Sequence, residues 1–194
     1  MNKPCGYVCA AASDSHKTVY DLLTPELKVL IKDAPRGSRL HTVGRLDCNT
    51  SGLLLLTNDG YFSHMISTGS TTIIQKTYRA LLVTPVATEN QKKYIKLAAA
   101  GLTLPPEKKY GEQKALPAGL IFESADVCKI TVQEGKFHEV RRIFCALENE
   151  VKNLERITIG GLRLPEDLKP GQWREMTKEE KNSVTMNLFQ GLNT

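Results

Sequence analysis

The chain is expected to fold as α+β, with a mixed, mainly antiparallel sheet flanked by helices. Three observations carry this. Helix-like and strand-like hydrophobic periods interleave along the chain. No Gly-x-Gly-x-x-Gly loop follows any strand-like run, which removes the doubly wound nucleotide-binding folds. With 194 residues, 41% hydrophobic and 24% charged, the chain can bury one sizeable core or two small ones.

The elements are read in order. After Lys3-Pro4, residues 5–10 read as a short strand. Residues 18–31 place Val19, Leu22, Leu23, Leu27, Leu30 and Ile31 near helical spacing around a break at Thr24-Pro25. Residues 32–39 are a polar loop. Residues 40–46 look like a strand running into Asp47, a loop follows at 48–51, and 52–57 form a continuous apolar run of the buried-strand type. Asn58-Asp59-Gly60 has turn chemistry, and 61–66 start a helix.

Residues 75–84 alternate and read as a strand. Residues 88–100 read as a helix opening on Thr88-Glu89 and ending at Gly101. Residues 105–119, rich in Pro, Lys and Gly, form an exposed loop or hairpin connection. A strand at 127–132, a turn at Gly135, a helix at 140–147 and strands at 151–159 and 162–164 complete the pattern. The terminal helix, 177–188, begins at Thr177 with Glu180 three residues on, a capping-box spacing.

Bulk properties narrow the function classes. No run approaches the roughly 20 apolar residues of a membrane span, and the first residues lack the charged and apolar regions of a signal peptide. Five cysteines, Cys5, Cys9, Cys48, Cys128 and Cys145, fit reduced thiols better than a disulfide framework. A cytoplasmic location is expected. Cys5 and Cys9 lack a second ligand pair, so no metal site is expected. The net charge of +5 permits a polyanionic partner without requiring one.

Asp47 holds the chemistry. It stands where a strand hands over to a polar loop, a common place for reactive groups. Arg45 is two residues earlier and shares its face on an extended chain. Thr50 and Ser51 can donate to the loop or to a phosphate. Taken alone, Asp47 is a loop-capping carboxylate paired with a neighbouring Arg. Tyr78 is a strand residue with a surface hydroxyl, Arg141 and Arg142 are a solvated helix face, and Phe137 and Phe144 are ordinary core. His138 either binds phosphate or satisfies a backbone carbonyl.

The run GRLDCNTSGLLLLTNDG changes that reading. It closely resembles the catalytic segment of RNA pseudouridine synthases of the ribosomal small-subunit type: Gly-Arg-Leu-Asp, two variable residues, Thr-Ser-Gly, an apolar strand and Thr-Asn-Asp-Gly. So many residue types at fixed spacing make a specific signal. Asn2-Lys3-Pro4 with Gly6-Tyr7 resembles the family's opening strand. Lys76-Thr77-Tyr78 resembles its Lys-x-Tyr segment. EGKFHEVRRIF, residues 134–144, resembles the motif that brings an Arg to the Asp, and LKPGQWREMT, residues 168–177, resembles the closing strand. The resemblance spans nearly the whole chain.

It implies the pseudouridine synthase fold, two subdomains with a cleft between them, and isomerisation of a uridine in ribosomal RNA. Asp47, Tyr78 and Arg141 are then the catalytic residues, with Asp47 the nucleophile and Arg141 the cation that keeps it ionised. Arg45 fills the space left by the flipped uridine. Arg45, Thr50, Ser51, Lys76, Lys136, His138 and Arg142 contact RNA, and the lysines of the 105–119 loop, Lys108, Lys109 and Lys114, are either phosphate contacts or solubilising charges. No cofactor is implied. The partner is ribosomal RNA or a ribosomal subunit, and the enzyme is expected to be a monomer. Large-subunit RNA as target and a non-catalytic RNA-binding assembly factor are the competing readings.

Two departures stand out. Residues 1–194 read as one catalytic domain, leaving no room for the small S4-like RNA-binding domain that many relatives carry in front of it. Glu139 stands where the family usually has Gln, adding negative charge beside Arg141.

Overall fold

The computed structural model describes residues 1–35, 37–68 and 73–186. The elements are β1 (Asn2–Lys3), β2 (Tyr7–Val8), β3 (Lys17–Thr18), a 3-10 turn at Val19–Leu22, α1 (Pro25–Lys32), β4 (His41–Thr42), β5 (Thr50–Leu53), β6 (Leu56–Thr57), α2 (Gly60–Thr68), β7 (Lys76–Leu82) and α3 (Thr88–Ala100). They continue through β8 (Thr103–Leu104), β9 (Gln113–Lys114), β10 (Gly119–Phe122), β11 (Val127–Val132), α4 (Glu139–Ala146), β12 (Val151–Ile159), β13 (Leu162–Arg163) and α5 (Lys178–Ser183). No described helix is long and apolar enough to cross a membrane.

A seven-stranded sheet in the order β1-β5-β12-β7-β11-β10, with β13 beside β12, organises the chain. Every pairing in it is antiparallel except β5 with β12, which is parallel and sets Thr50 opposite Leu154. The expected α+β architecture with a mainly antiparallel sheet is what forms.

Long, strongly patterned segments fold as read. The helix at 88–100 and the strands at 127–132 and 151–159 keep their expected bounds. The last helix carries the expected capping box, Thr177 with Glu180, but ends at Ser183. Of its expected tail, residues 187 and 188 lie outside the described residues.

Other segments differ. The expected strand at 5–10 is displaced. Sheet pairing falls to Asn2–Lys3, which lie against Leu53 and Gly52, while Tyr7–Val8 pair only with Lys17–Thr18. The expected strand at 40–46 shrinks to β4 because its ladder stops: the Val43 N–H goes to the Leu55 carbonyl and the Leu46 N–H to the Cys9 sulfur. The apolar run 52–57 is interrupted rather than continuous. Leu53 and Leu55 enter one core cluster with Phe62 and Ile159, whereas Leu54 enters another with Val19 and Tyr20. A third cluster, built on Ala80, Ile130, Ile143 and Phe144, joins the far half of the sheet to α4. Within 105–119 a hairpin of β8 and β9 forms, and edge strand β10 starts at Gly119.

Gly52 has a positive φ of +103°, and a Cβ there would stand 2.3 Å from the Arg156 carbonyl oxygen. Backbone cannot yield as a side-chain tip can. Gly52→Ala is expected to cost about 3 kcal/mol or more, read as a lower urea midpoint at unchanged slope.

Candidate active site

The loop from Val43 to Asn49 presents Asp47, and a buried ammonium holds that loop from below. Lys3 is wholly inaccessible, and its Nζ donates to the carbonyls of Thr50 at 2.7 Å, Pro4 at 3.0 Å, Asp47 at 3.1 Å and Cys48 at 3.4 Å. Burial lowers the Lys3 pKa, opposed by the nearby thiols and Asp47. The Thr50 N–H closes a turn on the Asp47 carbonyl at 3.1 Å. Sequence reasoning took Asn2–Lys3 only as part of an opening strand; a lone Lys in such a segment has no period or spacing that marks it as buried.

Asp47, Arg45, Tyr78, Arg141, Lys136 and His138 line one cleft of about 460 Å³. They come from separate segments: the loop, β7, the 135–138 turn and α4. Asp47 is partly open to that cleft, with its side chain 40% exposed. Arg45 is exposed and also lines an adjoining cavity of about 360 Å³ with Lys76, Tyr78 and Arg156. The segment carrying Arg45 and Asp47 is irregular rather than a strand, yet both side chains reach the cleft.

Arg141 reaches the cleft but does not pair with Asp47. Its guanidinium donates to the carbonyls of Val151 at 2.9 Å and Asn49 at 3.0 Å, so it braces the end of the Asp47 loop against the start of β12. The basic side chain nearest the Asp47 carboxylate among the described residues is His138, with Nε2 3.6 Å from Oδ1. The other ring nitrogen, Nδ1, lies 2.7 Å from Oε1 of Glu107. Within the protein, His138 thus meets carboxylates and not the backbone carbonyl that was one of its two expected partners.

Three residues expected to contact RNA are buried or bonded within the protein. Arg142 is only 2% exposed and is spent internally, donating to the carbonyls of Pro105, Gly111 and Phe137 and to Gln113 Oε1 at 2.6 Å. It anchors the β8–β9 hairpin: successive side chains on a helix are rotated by about 100°, and Arg142 takes the inward direction while Arg141 takes the cleft side. Thr50 lies in the lining of the Asp47 cleft but is only 1% exposed, and no described group satisfies its hydroxyl. Ser51 lies on the other face of β5, donating to the Leu154 carbonyl at 3.4 Å and lining a different cavity. Lys114 donates to the Gly101 carbonyl at 2.9 Å, while Lys108 and Lys109 sit near the rings of Phe137 and Tyr110. Phe144 is core, and Phe137 stacks between Tyr110 and His138.

Beside the cleft lies a charge cluster. Lys136 pairs with Glu134, and Glu139 is 6% exposed with Oε2 unsatisfied. Burial, reinforced by the charge of Glu134, pushes the Glu139 carboxyl up to about 7. Lys76 donates to the Glu134 carbonyl at 3.4 Å, and burial together with the charge of Arg156 lowers its pKa. Arg156 is 3% exposed, donates from Nε to the Leu53 carbonyl at 2.8 Å and leaves Nη2 unsatisfied.

Known proteins can now be set beside this geometry. The sequence pattern of the RNA pseudouridylate synthase family matches residues 1–146. The chain is 39% identical over 184 residues to ribosomal small subunit pseudouridine synthase A of Escherichia coli (strain K12), covering 95% of this chain and 72% of that protein. It is 38% identical over 186 residues to the protein of the same name from Vibrio vulnificus (strain CMCP6), with the same coverage. A crystal structure of a pseudouridylate synthase superposes with a TM-score of 0.80 at 36% identity, over 95% of this chain and 71% of that one. A chain of an H/ACA RNP bound to a substrate RNA shares the fold alone, at a TM-score of 0.54 and 16% identity, over 85% of this chain and 48% of that one.

Two outcomes follow from the buried charges. Glu139 keeps its proton in the folded state up to about pH 7, whereas the unfolded chain loses it near 4.5. The contribution of Glu139 to stability is therefore full below about pH 4.5, falls away as pH rises towards 7, and is constant above. Glu139→Gln is expected to remove that fall and raise stability at pH 8 by on the order of 2–3 kcal/mol, with little change at pH 4.5; paired urea titrations measure it. Arg142→Ala is expected to cost about 3 kcal/mol without altering the salt dependence of RNA binding, as denaturation and filter binding at stepped salt would record.

Proposed function

The chain belongs to the RNA pseudouridylate synthase family, and from that premise we propose that it converts a uridine of small-subunit ribosomal RNA to pseudouridine. The observation that carries the site assignment is the convergence of Asp47, Tyr78 and Arg141 on one cleft from separate segments of the chain. The small-subunit target rests on the relatives that match 95% of the chain.

The chemistry breaks the N-glycosidic bond of a uridine, turns the base and rejoins it through carbon; the carbon that becomes bonded loses a proton and the freed nitrogen gains one. No electrons leave the substrate, so side chains suffice. Asp47 acts as nucleophile on base or sugar. Its loop is already fixed by Lys3 and Arg141 before substrate arrives, which limits reorganisation at the moment of attack. A uridine in folded RNA must leave its stack to reach this cleft. Arg45, exposed at the junction of the two cavities, is placed to occupy the vacated space and meet phosphate. Tyr78, on central strand β7, offers a ring for the base and a hydroxyl for proton removal. Lys136 supplies charge at the cleft rim. The enzyme works in the cytoplasm, where its target RNA resides, and as a monomer.

The test incubates the protein with small and large ribosomal subunit RNA and maps new pseudouridines. Modification of one small-subunit uridine is expected. Asp47→Ala should lower the rate at least about 1,000-fold while RNA affinity stays within about threefold, since the partly open carboxylate has no closer charged contact among the described residues than the 3.6 Å one to His138. Modification confined to large-subunit RNA would move the target. Binding without modification by the wild type would mark an assembly factor.

A further inference from the structure

The nucleophile needs a partner that orients it, and Arg141 does not serve, since its donors go to Val151 and Asn49. His138 is the group that faces Asp47. Its ring lies between two carboxylates, Nδ1 at 2.7 Å from Glu107 and Nε2 at 3.6 Å from Asp47. An imidazole can donate to both only when both nitrogens carry protons. The Nδ1 contact is a full hydrogen bond. The Nε2 contact is an ion-pair distance, slightly long for a direct bond, as is common in a cleft without substrate.

The ring is held more firmly than a surface histidine. It stacks on Phe137 with centroids 3.9 Å apart and planes 16° apart, and Phe137 stacks on Tyr110 at 4.6 Å and 19°. Glu107 and Tyr110 are cross-linked by two backbone hydrogen bonds of 2.8 and 3.0 Å at the tip of the β8–β9 hairpin. The hydrogen bond thus comes directly from this tip, and the stack reaches the same tip through Phe137; the hairpin is itself anchored by Arg142. His138 also adopts a left-handed backbone, φ +48° and ψ +32°, at the start of α4. A non-glycine residue holds that conformation at a cost, and such costs cluster where a side chain must be aimed.

We propose that His138, fixed by Glu107 and the Phe137–Tyr110 stack, is a positioning residue that orients and counterbalances the Asp47 carboxylate. This rests on the uridine-isomerising reading of the cleft. The other charges facing the pair are Arg45, Arg141 and Lys136 around the cleft, Lys3 beneath the loop and Lys108 above Phe137. None of them is within ion-pair distance of Asp47 among the described residues.

His138→Gly is the decisive variant, because glycine suits the left-handed backbone and the fold should survive. Steady-state kinetics on the RNA that the wild type modifies are expected to show kcat down about 30- to 100-fold, in line with losing orientation at a reacting group, with KM within about threefold. Added imidazole should restore at least about a third of the lost rate at saturation. Glu107→Gln should lower kcat less and add little in the His138→Gly background. Unchanged kcat, a loss confined to KM, absence of imidazole rescue, or full additivity with Glu107→Gln would each overturn the proposal. If the wild type itself modifies no RNA, the reading of the cleft fails instead, and the two failures are told apart by that control.

Discussion

The ammonium of Lys3 is the constraint on which the site depends. Placing a charge where solvent does not reach is expensive unless it is fully engaged. Here it is engaged by four carbonyls, three of them on the stretch from Asp47 to Thr50. Two of those carbonyls also take a backbone donor, the Thr50 N–H on Asp47 and the Gly6 N–H on Cys48, and the ammonium ties them together with the Thr50 carbonyl at one point. The loop can therefore leave the sheet, turn Asp47 outward and still satisfy its backbone. Strand β1 exists to deliver this group; its two residues pair with Leu53 and Gly52, which places Nζ under the loop.

Around that anchor the cleft is assembled by a division of labour among cations. Lys3, Arg141 and Arg142 spend their donors mainly on backbone carbonyls, and each ties one segment: the loop, the loop end to β12, and the hairpin to α4. Arg45 and Lys136 stay near the surface, where charge can meet a polyanion. Positive residues adjacent in sequence, such as Arg141 and Arg142, thus serve different ends. Which of them is interior is settled by the helix face they occupy.

Legibility followed the range of the interactions. Asp47 was readable because its motif is local, and α3, β11 and β12 because their hydrophobic periods are long. The cleft membership of Tyr78, Arg141 and Arg45 was legible through the same motifs. The pairing of His138 with Glu107 was not, since these residues are 31 apart and meet only because a hairpin folds over α4. Lys3 and Arg142 were invisible as interior residues, because a charged residue carries no apolar period to betray burial. The shortened strand at 40–46 failed for a related reason: Leu40, Val43 and Leu46 recur every third residue without strand alternation, and the Val43 and Leu46 N–H groups go to the Leu55 carbonyl and the Cys9 sulfur.

The one parallel pairing in the sheet has a consequence for how the molecule comes together. It joins Thr50 to Leu154, residues brought from opposite halves of the chain. Contacts of such sequence separation form late, because the intervening loop must first be closed. Arg141 bridges Asn49 to Val151 across the same seam. Until it zips, the carboxylate of Asp47 has no cleft around it. The reactive centre thus belongs to no single segment: it depends on a contact between distant parts of the chain, and a change that weakens this seam would be felt at Asp47 without touching it.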